Sequence, residues 1–258
     1  RVLFRSREWI AARQFGQLWY EVLDFSSNVS PEECRRRTIE GLDTQFIIGM
    51  HPHGIVPFQA ILWAAYCDQY MTNESNALYG FGAAADVVMY LPVLRNIMGW
   101  LAAGGASYKT LKDGLVSGKC PPVNAIGRTP RNLYILPGGI AEVFTSTPGR
   151  NAVVFKKRYG LCRLSLETGA RLMPCYVFGG TDFFHNLATT DSVFSRASRK
   201  LKAGMTVFWG HFGLPIPFLP RVTITVADPI DVVQWKGEGP VPQEAVEELH
   251  AKYCASIQ

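Results

Sequence analysis

Phe46-Ile47-Ile48-Gly49-Met50-His51-Pro52-His53-Gly54 is the stretch that decides how this chain is read. An apolar run of strand length stops abruptly in His-Pro-His-Gly. Nearly unbroken apolar strands are buried on both faces, as in a parallel sheet covered by helices. Pro52 removes a backbone donor and fixes a dihedral, so the chain leaves the strand there. Gly54 lets the backbone turn, or lets a substrate approach closely. Two of the five histidines fall within three residues at this strand end. Titratable side chains are thereby delivered to the rim of a sheet, a placement that suits a reaction centre better than packing.

Outward from this stretch, short apolar runs alternate with helical patterns. Strands are expected at 45–50, 77–81, 132–136, 172–177 and 222–226. Helices are expected at 57–70, at 91–101 with Pro92 in its first turn, and at 107–116 with Ser107 as cap. Two more are expected at 159–168, stopped by Gly169, and at 242–257. Buried strands between helices predict one α/β domain with a mixed, mostly parallel sheet flanked by helices. Residues 1–40 read differently. Trp9, Ile10, Phe15, Leu18, Trp19 and Leu23 fall near helical spacing between arginines, so 1–40 is expected to be an amphipathic helical segment that packs on the domain or lies on a membrane. Residues 41–258 form the main domain. No internal repeat or low-complexity tract interrupts it.

Composition sets the class. Of 258 residues, 48% are hydrophobic and 12% aromatic, while the charged fraction of 18% is low. That supplies a large core and leaves apolar surface for lipid. The longest charge-free run, 44–67, could span a bilayer by length, but two His, two Pro and Gly54 argue against a membrane helix. No stretch resembles a signal peptide. Because the sequence starts at Arg1 rather than Met, an N-terminal portion, with any anchor it carries, is expected to be missing. The six cysteines are widely spaced without a C-x-x-C pair, which favours reduced, buried thiols over zinc binding. The net charge of +5 is uneven. Arg150, Lys156, Lys157, Arg158, Arg163 and Arg171 form one basic group; Arg196, Arg199, Lys200 and Lys202 form another. They are solvated faces or contacts to phosphate, of a coenzyme or of lipid headgroups. No nucleic-acid-binding module is recognisable.

A second constellation repeats the logic of the first. Leu133-Tyr134-Ile135-Leu136 leads into Pro137-Gly138-Gly139, and Glu142 follows three residues later. A Gly-rich turn exposes backbone N–H groups that can point at an anion. An ordinary tight turn with Glu142 near a helix start is the plain alternative. If the two strands are parallel, both motifs lie at carboxyl ends on one edge, where open α/β sheets bind ligands.

His51-Pro52-His53-Gly54 followed by Leu136-Pro137-Gly138-Gly139-Ile140-Ala141-Glu142 resembles the type-2 diacylglycerol acyltransferase family, which includes monoacylglycerol and wax-alcohol acyltransferases. Further blocks agree. One is Lys157-Arg158-Tyr159-Gly160-Leu161-Cys162-Arg163-Leu164-Ser165-Leu166, continuing through Thr168-Gly169-Ala170 and Pro174 to Phe178-Gly179. Others are Phe212-Gly213-Leu214-Pro215-Ile216-Pro217 and His250-Ala251-Lys252-Tyr253. The resemblance runs in order from about Phe46 to the C-terminus. It implies the α/β fold of the glycerolipid acyltransferases, an acyltransferase domain over 41–258, and transfer of a fatty acyl group from acyl-CoA to the hydroxyl of a neutral lipid, diacylglycerol first among them to give triacylglycerol, with no cofactor beyond the co-substrate. The chain departs from the wider group's His-x4-Asp: Phe58 stands five residues after His53, and Val56 five after His51. It also has Gly180 where the family usually has an acid, and no counterpart of the family's N-terminal membrane hairpin is expected within these residues.

The chemistry then asks for a base, an orienter and oxyanion donors. A positioned imidazole takes the alcohol's proton as it attacks the thioester. A carboxylate fixes its tautomer, and backbone N–H groups stabilise the oxyanion. The expected roles are His53 as base, Glu142 as its orienter, and His51 as a support or substrate-orienting group, with exchange between the histidines left open. Gly54, Gly138 and Gly139 are expected at the substrate or oxyanion, and Lys156, Lys157, Arg158 and Arg163 at a coenzyme or headgroup phosphate. A membrane surface is the expected partner, placing the protein on the cytosolic face of the endoplasmic reticulum or on a lipid droplet. Two rivals remain: a metal-dependent hydrolase in which Asp182, His185, His211 or Asp228 complete a His-x-His site, and a non-catalytic lipid-binding module at a membrane surface.

Overall fold

The computed structural model describes residues 18–19, 22–30, 33, 45–58, 62, 80–90, 92, 95–96, 98, 103–117, 132–187, 193, 195–196 and 206–258. Their strands are β1 (Ser26–Ser27), β2 (Phe46–His51), β3 (Gly80–Ala84), β4 (Ala103–Gly105), β5 (Asn132–Ile135), β6 (Arg171–Phe178), β7 (His185–Asn186), β8 (Phe208–Trp209) and β9 (Thr223–Val226). Complete helices are α1 (Tyr108–Ser117), α2 (Gly139–Thr145), α3 (Gly160–Thr168) and α4 (Gln243–Ile257). One sheet runs β1-β9-β6-β2-β5-β3-β4, and β7 pairs with β8 apart from it. Every pairing within the large sheet is parallel except β6 with β9. The mixed, mostly parallel α/β sheet expected from the sequence is therefore present.

β2 sits near the centre and is buried at all six positions. Its side chains alternate between two cores, as strand geometry requires. Phe46, Ile48 and Met50 enter one core with Met173, Cys175, Val177 and Ile224. Ile47 enters the other, with Leu161, Cys162, Leu172, Val246, Leu249 and Tyr253. Gly49 and His51 share the face of Ile47, the one that α3 and α4 cover. The last helix earns that place by its spacing: Val246, Leu249, His250 and Tyr253 are its buried residues and form one helical stripe. α3 ends where expected, with Gly169 at φ 74° and its N–H bonded to the Ser165 carbonyl at 2.8 Å.

Some elements differ from the sequence reading. β1 lies within 1–40, the segment expected to be amphipathic and helical; two serines carry no periodicity, and they join the sheet because Ser26 pairs with Thr223 across a 2.8 Å side-chain hydrogen bond. β3 runs on to Ala84 through small residues, and β4 is Ala-Gly-Gly, so neither advertised itself by apolar pattern. Most of 1–40 lies outside the described residues. So do most of the helices expected at 57–70 and 91–101, although Phe58, Leu62, Pro92, Arg95, Asn96 and Met98 are helical. Arg199, Lys200, Lys202, Cys34, Cys67 and Cys120 are outside too. Cys162 and Cys175 are free and buried, and Cys254 is free and partly exposed. No helix among the described residues is long and apolar enough to cross a membrane.

Candidate active site

β2 and β5 are adjacent and parallel, with Ile47 opposite Leu133 and Gly49 opposite Ile135. The His-Pro-His-Gly corner and the Pro-Gly-Gly turn therefore leave the same edge of the sheet side by side. His51 ends β2 fully buried, and its bond to Pro52 is cis. Gly54, at φ 69°, adopts the left-handed conformation that favours glycine. His53 between them is half-buried.

α2 begins in the second turn and carries Glu142, which is buried. Its Oε2 accepts the His53 backbone N–H at 2.6 Å, and its Oε1 accepts the Val154 N–H at 2.9 Å. The same Oε1 lies 3.5 Å from His51 Nδ1. Burial pushes this carboxyl up, but His51 and the two backbone amides outweigh it and hold the group below the usual carboxylate range. An ionised, desolvated carboxylate thus stands behind the corner. Gly138 makes room for it: a Cβ there would fall on the Glu142 carboxyl carbon.

The imidazole of His53 takes its orientation from a different partner. Its Nδ1 meets the Gly54 carbonyl at 2.9 Å. A carbonyl only accepts, so Nδ1 carries the proton and Nε2 is the basic nitrogen. Desolvation lowers this imidazole below its ordinary value, against the opposing pull of the Gly54 carbonyl and the Glu142 charge. The Glu142–His53 ring contact expected first is not made: Glu142 holds the backbone of His53, and the ring it faces is that of His51, the histidine for which an exchange of roles stays open.

Two other expectations are revised. The Gly139 N–H closes its own turn onto the Leu136 carbonyl at 3.1 Å, so it is not aimed at an oxyanion; Gly139 itself stands at φ 50°, in the left-handed region. The basic group divides. Arg158 reaches the Gly138 carbonyl at 3.4 Å, beside the site, while Arg163 is engaged with Gln243 of α4 at 2.9 Å. Lys156 and Lys157 are exposed between Phe155 and α3. Arg158 and Arg163 thus meet different partners.

The residue that sequence reasoning missed is Tyr253. Its hydroxyl is 3.2 Å from His51 Nε2 and 3.3 Å from the Gly49 carbonyl. The available signal was Gly49, a glycine inside a buried strand, which marks close approach of another group. A Cβ at Gly49 would fall on the Tyr253 hydroxyl. The residues proposed to complete a metal site lie elsewhere: His185 and His211 both pack edge-on against Phe218, and Asp182 accepts the Gly149 N–H at 2.7 Å. Among the described residues no three His, Cys, Asp or Glu side chains converge as a metal-ligand group.

Comparison with known proteins follows the same residues. The family model for diacylglycerol acyltransferase matches residues 18–258. Diacylglycerol O-acyltransferase 1 of Schizosaccharomyces pombe is 30% identical over 88% of this chain and 65% of its own length. Diacylglycerol O-acyltransferase 2 of Danio rerio is 29% identical over 83% of this chain and 59% of its own length. The human 2-acylglycerol O-acyltransferase 3 is 28% identical over 98% of this chain and 72% of its own length. The chain thus spans about three-fifths to two-thirds of the first two relatives. Among solved structures, the 1-acyl-sn-glycerophosphate acyltransferase PlsC of Thermotoga maritima matches with a TM-score of 0.45 at 13% identity, covering 94% of this chain and 76% of that one.

Proposed function

This chain belongs to the diacylglycerol acyltransferase family, and from that premise we infer that it moves a fatty acyl group from acyl-CoA to the hydroxyl of a neutral lipid, diacylglycerol first among them. The observation that carries the reading is the half-buried imidazole of His53. Its Nδ1 is tied to the Gly54 carbonyl and its backbone is held by the buried carboxylate of Glu142, at the carboxyl edge of the sheet. The acceptor reading draws on the relatives, whose names specify diacylglycerol and 2-acylglycerol.

The geometry supports the following steps. Nε2 of His53 takes the acceptor's hydroxyl proton as the alcohol oxygen attacks the thioester carbonyl carbon. General-base help of this kind is worth roughly 10²- to 10⁴-fold. Glu142 stabilises the imidazolium that forms through the field of its ionised carboxylate. The tetrahedral intermediate collapses, the C–S bond breaks, and the proton passes from His53 to the departing thiolate. Ester and free CoA result, with no covalent enzyme intermediate. His51, fully buried, supports the corner rather than meeting substrate. Arg158, at the Gly138 carbonyl, is the basic residue best placed for the coenzyme's phosphates, with Lys156 and Lys157 nearby in sequence and exposed. Both substrates carry lipid chains, so the site works at a membrane surface. The cytosolic face of the endoplasmic reticulum, or a lipid droplet, supplies acyl-CoA and the reducing conditions that suit free Cys162, Cys175 and Cys254.

The test is radiolabelled oleoyl-CoA offered with diacylglycerol, monoacylglycerol or a long-chain alcohol in mixed micelles, the products separated by chromatography. Labelled triacylglycerol is expected. No labelled ester from any acceptor overturns the reading.

A further inference from the structure

The face of β2 that carries His51 also carries Gly49, and α4 lies across both. Tyr253 is wholly buried, and burial pushes its hydroxyl well above the ordinary tyrosine value, so it remains a donor at any working pH. The helix that holds it is itself fixed. His250 Nε2 meets the Phe155 carbonyl at 3.0 Å, and the two rings stack with centroids 4.9 Å apart. Phe155 also packs edge-on against His51 at 5.3 Å. A phenylalanine at 253 would fill the same space. The hydroxyl is a buried polar group beyond what packing needs, and such groups cost free energy unless they are bonded.

Resting on the acyl-transfer reading, we propose that Tyr253 is a positioning residue for the reaction, acting on the His53 corner through His51 and Glu142. The chain of contacts is continuous. The Tyr253 hydroxyl is 3.2 Å from His51 Nε2, His51 Nδ1 is 3.5 Å from Glu142 Oε1, and Glu142 Oε2 accepts the His53 N–H at 2.6 Å. Beyond this ion-pair contact, His51 Nδ1 has no hydrogen-bond partner among the described residues. A carboxylate oxygen facing Nδ1 calls for a proton there, which leaves Nε2 of the neutral ring as acceptor and the Tyr253 hydroxyl as its donor. The hydroxyl shares its one proton with the Gly49 carbonyl, 3.3 Å away. By giving Nε2 a partner, Tyr253 holds the ring with its Nδ1–H in front of Glu142 Oε1. Oε2 then stays on the His53 amide, and the base is held where the acceptor hydroxyl must arrive. Without the hydroxyl, Nε2 is left buried with no partner, and the ring can turn away from the carboxylate.

The test compares Tyr253→Phe with wild type in the full chain, using kcat, KM for acyl-CoA, and the ¹⁵N shifts of the His51 ring in histidine-labelled protein. Wild type is expected to show a protonated Nδ1 and an acceptor Nε2. The variant should stay folded and keep its KM. Its kcat should fall roughly 3- to 10-fold, the scale of one net hydrogen bond, and the ¹⁵N shift of Nε2 should move as that nitrogen loses its hydrogen-bond partner. Lys252→Ala, on the exposed side of α4, should match wild type throughout. A folded Tyr253→Phe with wild-type kcat and unchanged ¹⁵N shifts overturns the proposal, as does a wild-type ring protonated on Nε2 alone. The second outcome needs no variant, so a failure of the variant to fold does not shield the idea. The ¹⁵N measurement also needs no turnover. A wild-type chain that makes no ester overturns the acyl-transfer reading, while the tautomer still decides the contact chain.

Discussion

Replacing Glu142 by Gln tests the site most directly, because shape is kept and a charge removed. The carboxylate accepts two buried backbone N–H groups, from His53 at 2.6 Å and Val154 at 2.9 Å. A glutamine has one acceptor oxygen and an NH₂ that only donates. One of the two amides must therefore lose its acceptor and face a donor instead. A buried donor left unsatisfied costs about 1–3 kcal/mol. In a chain of this size that lowers Tm by roughly 2–12 °C. The effect has a pH signature. The folded-state pKa of Glu142 is depressed, so its contribution to stability is fully present above the ordinary carboxylate value near ~4.3 and is lost as pH falls through the depressed value. The stability gap between wild type and Glu142→Gln should be widest near neutrality and close on the acid side. Turnover at matched folded fraction should fall while acyl-CoA binding holds, since the variant no longer stabilises imidazolium. Thermal unfolding from pH 3 to pH 8, with kcat measured at pH 7, checks both effects. Equal Tm with parallel pH curves refutes the buried-ion argument. Wild-type kcat in a destabilised variant confines Glu142 to a structural role.

The other expectations follow from the same corner. His53→Ala should lose roughly 10²- to 10⁴-fold in kcat with little change in fold, and near-normal turnover of a folded variant removes His53 as base. Because desolvation lowers the His53 pKa, its neutral form dominates at pH 7; kcat/KM should be flat there and decline only as pH drops below the ordinary value near ~6.5, a profile that an acid limb above that value contradicts. Gly138→Ala should damage the site more than a typical surface glycine change, because the new methyl falls on the Glu142 carboxyl carbon; normal activity and Tm would show that the carboxylate can sit elsewhere. Neutralising Arg158 alone should reproduce most of the rise in KM for acyl-CoA seen when Lys156, Lys157, Arg158 and Arg163 are all neutralised, with both effects fading as salt rises; a KM unmoved at low salt makes the group a solvated face.

The fold was legible wherever a segment carried its own signal. β2, β5, β6 and β9 have apolar strand patterns, and α1, α3 and α4 have caps or stripes that mark their ends. Gly169 is a clear case: a glycine after the last periodic residue foretold the left-handed stop observed at φ 74°. The elements that went unread have no such internal signal. Ser26–Ser27, Ala103–Gly105 and the β7–β8 pair are two or three residues long, and their neighbours in space impose their conformation. Parallel order was legible only conditionally, because register between β2 and β5 depends on packing over more than 80 positions of sequence.

The site shows why residue identity was easier to read than residue partnership. His51, His53 and Glu142 announce themselves by chemistry and by their place at strand ends, and they do meet. Which atom meets which depends on a backbone that turns twice between His51 and Gly54. At φ 69°, Gly54 brings its own carbonyl to Nδ1 of His53, so the base needs no carboxylate to set its tautomer. That releases Glu142 for two tasks a sequence cannot display, accepting the His53 amide and facing the buried His51 ring. His51 in turn requires a partner on its far nitrogen. The strand supplies room for one only because position 49 is glycine on the same face, and the helix supplies it from position 253. A histidine two residues from a glycine in one buried strand is thus a joint signal. The first needs a hydrogen-bonding group, and the second permits one to approach the backbone. The pair of histidines divides its labour by burial. One is closed in by Glu142, Phe155 and Tyr253 and holds the corner, while the other remains at the rim, neutral and able to take a proton.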